Sequence, residues 1–269
     1  MIPSLRFFFH CAFGAALLLD FAARGHAETS SAFGSRKRVT PALVGIFYDL
    51  KQTQERTPVP KIERLYSSII DNFLNDGLHE HDLDTFFRAG LPLYATQIAL
   101  PQMDAGLAPK AFGVEKIVKP RYWIVQYKGQ IAPPETGTYR FVGNSDDVLA
   151  VAINGKVVLV ANHPATHFPH LGWRPPKDQG PKFIAAVKSE VVTYGDWLDL
   201  QADQPVDIDI IVGERPGGVF HAWLFYQKKD ATYPSKADGK LILPLFQVAP
   251  LPSDSHNYLT NLPPWRCLE

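Results

Sequence analysis

From residue 62 to residue 78 the apolar positions Ile62, Leu65, Tyr66, Ile69, Ile70, Phe73 and Leu74 recur every three or four residues. That spacing predicts one helix with a single buried stripe, stopped at Gly77. Before it, Leu43 to Tyr48 has the composition of a strand. After it the period changes to two, as in Ile208-Asp209-Ile210 and Tyr139-Arg140-Phe141, and strands are predicted over 92–100, 122–127, 138–142, 148–153, 156–161, 197–200, 206–212 and 219–226. Asn154-Gly155 lies between two of these runs, and both residues tolerate the positive φ of a type I′ turn, so a two-residue hairpin is predicted there. A further apolar run over 241–248 reads as a last strand, ahead of a tail punctuated by Pro250, Pro252, Pro263 and Pro264. Short strands at this spacing with one helix predict an all-β fold, an antiparallel β-sandwich with a helical insertion, and exclude a βαβ sheet.

The ends of the chain read differently from its middle. Arg6 precedes a short apolar run, broken by His10 and Asp20, that ends at Gly25-His26-Ala27. This is the pattern of an export signal cleaved after Ala27 rather than of a membrane anchor, and it predicts a periplasmic, cell-surface or extracellular address. Residues 28–41 are polar and without period, which predicts a flexible lead-in. The sandwich is then expected over 42–230, and the last strand and Pro-rich tail over 231–269. Cleavage would remove Cys11 and leave Cys267 alone, so no intrachain disulfide is expected.

Charge narrows the partners. Lys plus Arg and Asp plus Glu both number 27, so no positive field gathers phosphates, and nucleic acid is not an expected ligand. No Gly-x-Ser-x-Gly elbow, phosphate loop or His-Glu-x-x-His helix occurs, and the chain is not expected to be an enzyme. Asp196 and Asp199, beside Trp197, are the nearest candidates for a glycoside-cleaving acid pair, whereas the carboxylates alternating at Asp207 and Asp209 are better explained as the wet face of a strand.

Four stretches carry a family resemblance. They are Tyr122-Trp123-Ile124-Val125-Gln126-Tyr127, Gly137-Thr138-Tyr139-Arg140-Phe141, Ser145-Asp146-Asp147, and Val151-Ala152-Ile153-Asn154-Gly155. In this order they resemble the protective-antigen (PA-14) domain family over roughly 118–228. The resemblance implies a β-sandwich recognition module, in several members a calcium-dependent carbohydrate binder. It also implies that Asp146 and Asp147 would hold Ca2+, in some members across a cis peptide bond, with the ion shared by sugar hydroxyls. Val148 departs from the family, in which glycine often follows the acid pair.

Calcium takes about six to eight oxygen ligands, so two adjacent carboxylates fill only part of a shell. Asn144, the carbonyls of the 162–173 loop and Glu214 are the candidates to add oxygens, and Trp173 is the candidate to cover a sugar face. The competing reading gives Asp146 and Asp147 the ordinary work of capping turn amides. His163, His167 and His170 raise a zinc reading, but their spacing is loose, and Pro164 and Pro169 argue against a helix that would align the rings. The expectation is a secreted module for a glycan or polysaccharide. The alternative is an envelope-associated protein-interaction or scaffold domain, using the same loops or the 233–269 tail.

Overall fold

The alternating segments pair into two antiparallel sheets. A computed structural model describes residues 30–164, 172–187, 190–250 and 257–268. Its strands in chain order are β1 (Ser30–Ser31), β2 (Gly34–Ser35), β3 (Leu43–Asp49), β4 (Phe87–Arg88), β5 (Leu93–Ala95), β6 (Ala99–Asp104), β7 (Trp123–Ala132) and β8 (Gly137–Asp146). They continue with β9 (Val148–Ile153), β10 (Lys156–Val160), β11 (Thr193–Tyr194), β12 (Leu198–Leu200), β13 (Val206–Glu214), β14 (Val219–Lys228) and β15 (Arg266–Leu268). The helices are α1 (Ile62–Asn75) and α2 (Leu107–Ala111), with a 3-10 turn over Glu80–Leu83.

One sheet has ten strands in the order β1-β2-β5-β3-β7-β13-β9-β10, with β4 on β3 and β15 on β7. The other has five in the order β11-β8-β14-β6, with β12 on β8. The fold is the expected all-β sandwich. Between the sheets Trp123 of β7 meets Phe47 of its own sheet and Phe220 of β14 from the facing sheet, the latter at 5.0 Å between ring centroids. Fully burying aromatic rings of this size is the main source of stability for such a core.

Helix α1 covers the outer face of the larger sheet. Its Tyr66 hydroxyl donates to the Trp123 carbonyl at 3.0 Å. A Cβ added at Gly213 would lie 2.8 Å from that hydroxyl, so only glycine admits the contact. The outer face of the smaller sheet carries a second apolar cluster, in which Val142 and Phe225 pack with Ile184, Val187, Leu243 and Leu245.

The hairpin at Asn154-Gly155 forms as expected, with φ of 50° and 73° at the two residues. Three segments differ from the sequence reading. The polar lead-in pairs as a β1–β2 hairpin, because Phe33 between the strands is buried against Trp123 and Phe220. The expected strand over 92–100 is divided into β5 and β6 in different sheets. The run over 241–248 makes isolated bridges rather than a strand, yet Leu243, Leu245, Phe246 and Val248 are all buried. Within the tail, β15 pairs with β7, and Trp265 is fully buried among Tyr139, Phe141, Tyr226 and Phe246. The export signal, His167 and His170 lie outside the described residues. Among those described, no helix is long and apolar enough to cross a membrane.

Candidate functional site

Strand β8 belongs to the smaller sheet and β9 to the larger, and Asp147 is the one residue between them. The chain therefore changes sheet at the acid pair, through a cis peptide between Asp146 and Asp147. Asp146 stands opposite His221 of β14. The Asp147 N–H donates to the Gly213 carbonyl at 3.3 Å, and the His163 N–H donates to the Asp147 carbonyl at 2.9 Å. These bonds tie the corner to the end of β13 and to the loop after β10.

The third acid arrives from β13. Glu214 is opposite Trp123 in the ladder, which places it on the same face as that core indole, at the end of the sandwich. Only 1% of Glu214 is exposed. Its Oε1 accepts the Gly217 N–H at 2.8 Å, within the turn that follows the strand. Its Oε2 is buried and accepts no N–H or hydroxyl hydrogen bond among the described residues, and the Asp147 carboxyl lies within hydrogen-bonding reach of Glu214. Asp147 is also buried, and its Oδ2 accepts the Arg215 N–H at 2.9 Å.

Burial disfavours both carboxylates in their charged form, and each acid repels its neighbours. Burial foremost, followed by the negative charge of Asp147, pushes Glu214 up to about 8. The Asp147 carboxyl is raised by burial and by Asp146, against the pull of the Arg215 amide. Asp146, Asp147 and Glu214 do not bring three oxygens within 4.8 Å of one another. The donors are hard oxygens only, and one of them is buried without a donor of its own. That set suits Ca2+ better than a nitrogen- or sulfur-seeking ion.

The other expected residues divide. Asn144 is buried, but its amide is engaged: Nδ2 donates to Glu190 Oε2 at 3.2 Å and to the Val191 carbonyl at 3.1 Å, and Oδ1 meets His221 Nε2 at 2.8 Å. Trp173 is 8% exposed and packs in the core, with its indole N–H donating to Asp196 Oδ2 at 2.9 Å. Asp199 accepts from the Thr138 hydroxyl at 2.6 Å, so the two acids beside Trp197 have separate partners.

Three residues at this corner did not stand out in the sequence. His221 is buried, bonded to Asn144 and 3.0 Å from Glu190 Oε2. Burial pulls its imidazole down, and Glu190 acts in the opposite direction. Tyr66 comes from the helical insertion and lies close enough to Asp147 and Glu214 for their charges to help raise its hydroxyl well above the usual range, after burial, which is the largest cause. Glu190 comes from a loop distant in sequence. The signal for His221 was its register opposite Asp146, legible only once β8 and β14 are paired.

Residues 115–219 match the family model described as PA14 domain. Over that stretch the chain matches the PA14 domain family. The match begins before β7 and ends at the first residue of β14, so it contains Asp146, Asp147 and Glu214 but neither α1 nor His221. No curated protein sequence matches the chain. Among solved structures, the chain is similar to a PA14 sugar-binding domain from an RTX adhesin, with 16% identity and a TM-score of 0.42 over 72% of this chain and 94% of that one. It is similar to the PA14 domain of the antifreeze protein MpAFP, with 15% identity and a TM-score of 0.39 over 74% and 91%. It is also similar to the epithelial adhesin 6 A domain from Candida glabrata in complex with Galb1-3GlcNAc, with 12% identity and a TM-score of 0.40 over 77% and 94%.

Proposed function

We propose that this chain is an exported, non-catalytic recognition module that binds carbohydrate through a Ca2+ ion held at Asp146 and Asp147, with Glu214 as a further oxygen donor. One observation carries the reading: a carboxylate that is 1% exposed, with an oxygen that accepts no N–H or hydroxyl hydrogen bond among the described residues, sits beside a second buried carboxylate at the end of the PA14 sandwich. Without a cation, such a group must hold a proton near neutral pH. With one, the repulsion becomes attraction and that oxygen gains a partner. Coordination positions left open at the sandwich end would take vicinal hydroxyls, as the family resemblance implies. The alternative of a protein-interaction domain loses part of its proposed surface, because Leu243, Leu245, Phe246 and Trp265 of the tail are buried in this fold.

Glycan-array binding of the full chain, with and without a chelator, tests the reading. The expected result is binding that disappears in chelator, returns with added Ca2+, and is abolished in Asp147→Asn, a near-isosteric change that removes one charge. Binding that Asp147→Asn retains at full strength would return the acids to turn capping. The absence of any glycan ligand would remove the carbohydrate reading.

A further inference from the structure

We propose a second metal site, for a divalent transition ion of the zinc class, at the corner where α1 ends, outside the PA14 match. The sequence builds this corner by stopping the helix sharply. The Asp76 N–H donates to the Asn72 carbonyl at 2.9 Å, and the Leu78 N–H reaches back to the Phe73 carbonyl at 3.0 Å. Gly77 between them has φ of 85°. This is the helix-terminating arrangement that needs a left-handed residue just past the last turn, and it reverses the chain within two residues. The 3-10 turn of Glu80–Leu83 then returns His81 and Asp82 to the side of Asp76.

Asp76, His81 and Asp82 each offer a ligand atom, and these atoms all lie within 4.8 Å of one another. They form the one such group of three among the described residues. Donors about 2 Å from a common ion lie roughly 3–4 Å apart, so the existing spacing needs only side-chain adjustment to close. His81 Nε2 is already 3.2 Å from Asp82 Oδ1. The Asp82 side chain is one-fifth exposed, and its second oxygen, Oδ2, is buried without a hydrogen-bond partner among the described residues, which leaves it free to take a cation. The corner borders a concavity of about 580 Å³ whose lining adds the oxygen-bearing side chains of Asn72, Asn75 and Thr85. Two carboxylates bring enough charge for a dication, and the imidazole turns the preference from calcium toward ions that bind nitrogen. Three protein ligands leave coordination positions open to water.

The site differs from the Asp146–Asp147 corner in element, donor chemistry and expected ion, so either can fail without the other. The full chain, stripped with chelator and then saturated with Ca2+, is titrated with Zn2+ by calorimetry. The expected result is one saturable Zn2+ per chain, with affinity reduced at least about tenfold in His81→Ala and in Asp76→Asn, as loss of one of three ligands requires. His163→Ala controls for the histidine segment after β10 and is expected to leave the affinity unchanged. Circular dichroism of each variant shows that the fold is retained. Absence of Zn2+ binding, or binding that survives His81→Ala, would overturn the proposal. Loss in His163→Ala with His81→Ala unaffected would assign the ion to the histidine segment instead.

Discussion

Glu214, an oxygen candidate named from a separate stretch of sequence, shows how the fold rather than adjacency sets which acids lie near one another. Asp146 and Asp147 are neighbours and were legible as a pair, whereas Glu214 joins them only because the corner bonds to the end of β13. Its chemistry yields a pH dependence. Its carboxyl shifts from an ordinary 4.5 to about 8 in the folded chain, chiefly through burial. The metal-free folded state therefore keeps a proton that the unfolded chain releases. This group's contribution is complete below about 4.5 and is lost as pH rises through about 8. Asp147 acts in the same direction. Thermal melts in chelator should thus show a melting point that falls between pH 5 and 9, with a shallower fall in Glu214→Gln. An identical fall in the variant would place the titration on another group.

At the scale of elements, the regular segments were legible because their burial leaves a period. Helix α1 and strands β3, β7, β9, β10 and β13 lie where the apolar spacing put them, and Asn154-Gly155 marked its own turn. The segments that escaped are those whose order comes from one long-range anchor. Phe33 fixes the β1–β2 hairpin in an otherwise polar stretch, and Trp265 fixes the tail among four rings from β8, β14 and the 243–248 segment. Neither a two-residue strand nor a Pro-rich run has a pattern to read. Trp265→Ala should cost about 3–5 kcal/mol of stability, the usual range for deleting a large buried aromatic side chain. Chemical denaturation measures it, and a loss below about 1 kcal/mol would show that the tail is not part of the cooperative fold.

For the molecule as a whole, the recognisable and additional parts carry different clusters of acidic side chains. The PA14 match holds the three acids, while the helical insertion lies outside it and supplies Tyr66 beneath the corner and the Asp76, His81, Asp82 cluster at its own end. The sandwich and the adjacent acids were legible in the sequence. The residues packed around the pair were not, because Tyr66 and His221 read as ordinary core positions until the sheets are assembled. The central claim is that the sheet-crossing corner is a cation site. Calorimetric titration of Ca2+ into the chelator-treated full chain tests it most directly. The account predicts one Ca2+ per chain, with affinity at least about tenfold weaker in both Asp147→Asn and Glu214→Gln, a difference of about 1.4 kcal/mol or more. No binding in the wild-type chain, or equal binding in all three, would contradict it.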